Sequence, residues 1–201
     1  MNTHDNLKTS ATFIGLLKDE SDLGWAIFYE RYSKLIVNFA IKRGCSRELA
    51  EDVLQETMMA LLHFLPKFDY DRDRGKFRSL LFKIAESKTI DAFRRTRRMT
   101  SLDNANLFER KLEGTTVDPH SSKLWDQAWD EEILEKAVSE AKGRVKPKTF
   151  ECFKKVFLEG AQVKDVAREM GISPNLVSQH KHKVMNLIID TAKNIRNLLG
   201  D

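Results

Sequence analysis

Apolar side chains return every three or four residues between Asp22 and Lys42, at Trp25, Phe28, Tyr29, Tyr32, Leu35, Ile36, Phe39 and Ala40. That spacing predicts one amphipathic helix, ended by Gly44. Ser46 is placed to cap a second helix, with Glu48, Glu51 and Asp52 near the positive end of its dipole. Its stripe is Ala50, Val53, Leu54, Thr57, Met58, Leu61, Leu62 and Leu65, and it stops at Pro66. The two helices are expected to pair antiparallel. Residues 67–76 are polar, contain Gly75 and read as a loop. Phe77, Leu80, Leu81, Ile84, Ala85 and Ile90 then open a third helix, which runs into Arg94, Arg95, Arg97 and Arg98.

Residues 99–122 hold Asn, Ser, Thr, Gly and Pro119 without a sustained apolar period and read as an extended linker. Helical spacing resumes from Ser122 to Lys142 through Leu124, Trp125, Trp129, Ile133, Leu134, Ala137 and Val138, until Gly143 and Pro147 interrupt it. Phe150, Phe153, Val156 and Phe157 mark a further helix ending near Gly160. Two short helices follow, parted by Gly171, Ile172 and Ser173. The pattern predicts an all-α fold of two small helical domains, at 1–98 and 123–201, joined by the linker at 99–122.

The segment 160–188 (GAQVKDVAREMGISPNLVSQHKHKVMNLI) carries apolar residues at Val163, Val166, Ala167, Met170, Ile172, Val177, Val184 and Leu187, the spacing of a helix-turn-helix. Ala167 is small enough to let two helices cross closely, Gly171 suits a positive-φ corner, and Ile172 plugs the space between them. Ser173 caps the second helix and Pro174 is pre-organised for its first position. Asn175, Ser178, Gln179, Lys181 and His182 are then expected to point outward. Asn, Gln and Lys can bond base edges in a major groove, while Lys181, Lys183 and the helix start can meet phosphates. His180 and His182 are expected to face DNA or solvent. The alternative is a helical hairpin with ordinary core packing.

Composition narrows the class. The chain has 201 residues, 41% hydrophobic and 32% charged, and its 9 Gly and 4 Pro are few for a turn-rich strand fold. No apolar stretch nears the roughly 20 residues of a membrane span, and the start lacks a signal-peptide pattern, so a cytoplasmic location is expected. Cys45 and Cys152 are far apart, without metal-ligand spacing, and are expected to be reduced thiols. No cofactor or metal is expected, and no nucleophile, base or ligand set suggests an enzyme. The net charge of +4 conceals an uneven distribution. Basic and acidic residues number 7 and 9 in residues 1–66, 11 and 5 in 67–98, 5 and 10 in 99–143, and 11 and 6 in 144–201. Two basic blocks thus flank an acidic one, and basic blocks favour polyanions by releasing counterions from phosphates.

The stretches FYERYSKLIVNFAIKRGCSRELAEDVLQETMMALLHFLPKF (28–68) and KFRSLLFKIAESKTIDAFRRTRR (76–98) resemble the second conserved region of extracytoplasmic-function (ECF) sigma factors, of the bacterial sigma-70 family. The helix-turn-helix resembles their fourth region. The resemblance implies a transcription-initiation factor that binds core RNA polymerase and directs promoter recognition and DNA melting. It implies a polymerase contact at Asp52, Gln55 and Glu56, which share one helix face opposite the apolar stripe. It assigns the loop at 67–76 and the next helix to the minus-ten promoter element, and the carboxyl-terminal domain to the minus-thirty-five element.

In the minus-ten region Lys67, Arg72, Arg74, Lys76 and Arg78 could follow a separated strand, while Phe68, Tyr70 and Phe77 offer stacking faces; Phe68 and Phe77 serve equally well as core. Lys83, Lys88, Arg94, Arg95, Arg97 and Arg98 would meet duplex phosphates, with Ser87 and Asp91 in the same region. Asp91 could instead pair with Arg94 or Arg95. Many family members have Trp where this chain has Leu80, Asn at Ser87 and Thr at Leu176, so base preferences do not transfer. The acidic linker would either thread through polymerase channels or form an exposed tether. An anti-sigma partner is also implied, and the free chain is expected to be a monomer. The alternatives are a helix-turn-helix regulator that binds an operator as a dimer, and a helical adaptor whose basic blocks bind RNA or an acidic protein.

Overall fold

The structure, a computed structural model, describes residues 11–65, 77–99 and 119–199, and these are helical with no strand among them. In chain order the helices are α1 (Ala11–Lys18), α2 (Asp22–Lys42), α3 (Arg47–Phe64), α4 (Phe77–Met99), α5 (Pro119–Arg144), α6 (Pro147–Phe153), α7 (Val163–Met170) and α8 (Pro174–Leu199). A π-helical turn, Lys154–Leu158, prolongs α6. The all-α expectation holds. None of the described helices is long and apolar enough to cross a membrane.

Two compact units are present, Met1–Asp130 with Leu198–Asp201, and Glu131–Asn197. In the first, α3 packs on both α2 and α4. Gly44, at φ 106°, turns the chain out of α2, and Ser46 caps α3 by accepting a hydrogen bond from the Leu49 amide at 3.2 Å. The core is aromatic. Phe13, Phe28, Tyr32, Phe39 and Phe77 are essentially inaccessible, and Phe77 meets Phe13, Phe28 and Tyr32 edge-on at centroid distances of 6.1, 6.4 and 5.6 Å. The sequence pattern passes over α1, whose Phe13, Ile14 and Leu17 are all buried.

Trp125 and Trp129 belong to this same core. Trp125 meets Phe39 at 5.2 Å and Phe82 at 5.6 Å, and Trp129 meets Tyr32 at 6.3 Å. The compact units therefore divide at Asp130 and Glu131, inside α5, and not at 122–123 where the change in periodicity places the boundary. Residues 119–122 of the expected linker are the first turn of α5, while the linker's 100–118 lie outside the described residues.

In the second unit Ala137 and Ala141 of α5 pack with Phe153, Val184 and Ile188. Cys152, Val166, Ala167 and Val177 form an adjoining cluster from α6, α7 and α8. The last helix is long where the sequence pattern suggested a short one: α8 runs for 26 residues. Its apolar stripe continues through Ile188, Ala192 and Ile195, all packed in or against the α5 cluster, and no breaker intervenes before Gly200.

Gly24 is set by close approach. A Cβ there would lie 2.8 Å from the backbone carbon and oxygen of Leu16, whereas one on Gly15 would meet nothing within 4 Å. Gly24→Ala is expected to cost about 1–3 kcal/mol by forcing α1 off α2. Gly15→Ala, in an open helical position, is expected to stabilise by up to about 1 kcal/mol. Urea midpoints of the two variants measure both, and equal shifts would contradict the packing described.

Candidate nucleic-acid interface

The apolar stripe of α3 turns Ala50, Val53, Leu54, Thr57 and Leu61 inward, which leaves Asp52 and Gln55 exposed and Glu56 half-buried on the opposite side. Asp52 and Gln55 are three residues apart on one outward face, as expected from their spacing. Glu56 is not a lone carboxylate, because it forms an ion pair with Arg95 of α4. A residue expected to meet polymerase and one expected to meet phosphate are thus each other's partner. Beside this face a groove of about 380 Å³ runs between α2 and α3, lined by Tyr29, Ser33, Asn38, Glu51, Gln55 and Met58 among others. Tyr29 is 54% exposed there. Sequence reasoning placed Tyr29 in the buried stripe, because it neighbours Phe28 and also fits a three- or four-residue step.

Helix α4 is held from within by a buried ion pair. Arg43, just past the end of α2, donates to both carboxylate oxygens of Glu86 at 3.2 and 2.9 Å, with side chains only 8% and 10% exposed. Removing one partner of such a pair strands the other charge in the core. With Glu86 and Ala85 inward, Lys83, Ser87, Arg94 and Arg95 are exposed, and Lys88, Asp91 and Arg97 are half-buried. Asp91 pairs with Arg94 at 3.6 Å, one of the two partners open to it from the sequence.

Two members of the expected minus-ten set are engaged inside the first unit. Arg78 bonds Asp126 at 2.6 Å and lies over the Trp129 ring at 4.4 Å, with its side chain 20% exposed. Phe77 is core, at 1% exposure, which removes it as a stacking face. Arg78 is taken up by the first turns of α5 and Phe77 by the rings of α1 and α2, long-range contacts that local spacing does not encode. Lys67, Phe68, Tyr70, Arg72, Arg74 and Lys76, together with the side chain of Arg98, lie outside the described residues.

The second unit builds the helix-turn-helix as its sequence requires. Gly171 adopts the left-handed conformation, φ 66° and ψ 34°, and the Ile172 amide returns to the Ala167 carbonyl at 3.1 Å. The Ser173 hydroxyl accepts from the Leu176 amide at 3.2 Å, so Ser173 is the cap of α8 before it is anything else. Asn175, Gln179, His182 and Lys183 are exposed, and Ser178 and Lys181 are half-buried. His180 departs from expectation: its Nδ1 lies 3.5 Å from the Cys152 Sγ in the interior. Burial holds the Cys152 thiol above its ordinary pKa, partly opposed by a backbone hydrogen bond. Cys45 is pushed up to about 11 by burial, against a lowering influence from Arg43.

ECF RNA polymerase sigma factor BldN from Streptomyces coelicolor (strain ATCC BAA-471 / A3(2) / M145) is 25% identical over 165 residues, which cover 80% of this chain and 57% of that protein. The chain therefore spans less than two thirds of that relative's length. Residues 28–99, from early α2 to the end of α4, match the family described as Sigma-70 region 2. Over that segment the chain is similar to proteins of the sigma-70 family. The matched segment contains the exposed face of α3, the α2–α3 groove and the basic side of α4 together. Among solved structures, a chain of the RsbN–BldN complex is 19% identical and covers 88% of this chain and 97% of its own, at a TM-score of 0.35.

The cap at Ser173 gives a stability test separate from any ligand. Ser173→Ala is expected to cost about 1 kcal/mol, and Ser173→Gly only a few tenths. Thermal unfolding followed by circular dichroism orders the two; equal losses would remove the cap from the account.

Proposed function

We propose that this chain is an RNA polymerase sigma factor in which the α3 face docks on core polymerase and the basic side of α4 engages promoter DNA. The observation that carries the reading is the match over residues 28–99, which joins both surfaces in one family segment. Asp52, Gln55 and Glu56 supply the polar side of the polymerase contact, and the α2–α3 groove with Tyr29 supplies an apolar neighbour. Lys83, Ser87, Lys88, Arg94, Arg95 and Arg97 present charge and hydrogen-bonding groups to the minus-ten duplex, and Lys67, Arg72, Arg74, Lys76 and Arg98 extend the same basic block. Melting needs no catalysis if binding favours the separated strand.

The second unit reads the minus-thirty-five element through α8, with Asn175, Gln179, Lys181, His182 and Lys183 toward DNA and Ser173 and Ser178 beside them. In domain terms, the unit that runs to Asp130 carries the polymerase and minus-ten module, and the unit Glu131–Asn197 the minus-thirty-five module. Major-groove reading by the exposed amides of Asn175 and Gln179 requires an ordered helix start, and the Ser173 cap and Pro174 supply one.

Purified chain added to core polymerase is expected to yield transcripts from discrete start sites; footprints of the chain alone on a palindromic operator, without transcripts, would overturn the proposal. Asp52→Arg is expected to weaken polymerase association about tenfold, equivalent to about 1.4 kcal/mol. Changing Arg94 and Arg95 together to Ala is expected to lower the salt slope of promoter binding by about 1 per lost phosphate contact. Fluorescence titration of labelled chain against polymerase and promoter over a salt series measures both effects.

A further inference from the structure

The thiol of Cys152 is fully buried, yet it touches two other polarisable donors. Its Sγ lies 3.5 Å from Sδ of Met170 and 3.5 Å from Nδ1 of His180. The three side chains come from α6, the last residue of α7 and the early part of α8, all within the unit Glu131–Asn197. Around them the cluster is aliphatic, with Val166, Ala167 and Val177 buried and Ile172 packed alongside.

Three donors on a metal with about 2.3 Å bonds to sulfur and about 2.0 Å to nitrogen, spread at about 120°, stand about 4.0 Å (sulfur to sulfur) and about 3.7 Å (sulfur to nitrogen) apart. The two separations of 3.5 Å are within about half an ångström of those values, a difference that small side-chain rotations cover. We propose that Cys152, Met170 and His180 form a binding site for Cu(I). The donor types decide the metal. Among the described residues there is no group of three or more His, Cys, Asp and Glu suited to a metal ion, so a zinc-type set is incomplete. The third donor is a thioether, and thiolate with thioether selects Cu(I). Charge agrees: Cu⁺ against one thiolate is neutral overall, whereas a divalent ion would leave a net positive charge among aliphatic side chains.

On binding, the Cys152 S–H bond breaks, its proton leaves to solvent, and the sulfur electron pair forms the bond to copper. Met170 Sδ and His180 Nδ1 each donate a lone pair, with the His180 proton on Nε2, and no electron is transferred. Because the three donors sit on three helices, an occupied site ties the corner of the helix-turn-helix together and stabilises the folded unit.

The full chain, reduced and anaerobic, is titrated with Cu(I) buffered by bicinchoninate. One equivalent is expected to bind, with two sulfurs and one nitrogen in the X-ray absorption spectrum and a raised Tm. Cys152→Ser and Met170→Leu are each expected to weaken binding about tenfold or more, on the scale that a perturbed metal shell produces, while Cys45→Ser leaves it unchanged. Met170→Leu conserves volume and tests the site even if Cys152→Ser fails to fold. Failure to compete with bicinchoninate, undiminished binding by Met170→Leu, or displacement of Cu(I) by equimolar Zn²⁺ would each overturn the proposal.

Discussion

Phe77 stands where α1, α2 and α4 meet, its ring edge-on to Phe13, Phe28 and Tyr32. Such pairs each contribute about 0.5–1.5 kcal/mol beyond the area they bury. Their geometry also fixes the rotation of α4 about its axis. Once Phe77, Leu81, Ala85 and Ala92 face inward, Lys83, Ser87, Arg94 and Arg95 have no direction left but outward. The basic surface is therefore a by-product of ring packing. Tyr32 of this group also meets Trp129, and Phe39 and Phe82 meet Trp125, which is why the first turns of α5 belong to this unit and why Arg78 is occupied with Asp126.

The second unit depends on a smaller constraint, the left-handed residue at Gly171. It lets α7 stop and α8 start within three residues while Ile172 stays against the cluster of Cys152, Val166, Ala167 and Val177. The cap at Ser173 then frees the start of α8 to present Asn175 and Gln179. Three local devices follow one another here along the chain: corner, cap, then outward-facing amides.

Much of this was legible from spacing. The ends of α2 and α3, the start of α4 at Phe77 and the helix-turn-helix corner follow from periodicity and from Gly44, Ser46, Gly171 and Ser173, because these are local effects. Helix α1 escaped because its eight residues are shorter than the window in which a period can be recognised. The docking of Trp125 and Trp129, the engagement of Arg78 and the inward turn of His180 escaped for another reason. Each depends on residues dozens of positions away, and a pattern of three- and four-residue steps holds no information about them. Helix α8 ran past its expected end because the same stripe that serves the corner also serves the α5 cluster.

The ion pair between Glu56 and Arg95 also bears on how the two faces of the first unit relate energetically. Both side chains are substantially exposed, at 32% and 48%, and pairs of that kind are worth up to about 1 kcal/mol. Giving up the pair for a new partner on either side thus discounts that partner's affinity by no more than about fivefold. The bridge is a resting arrangement that either surface can surrender, and a loss seen on changing Glu56 is shared between its own new partner and the release of Arg95.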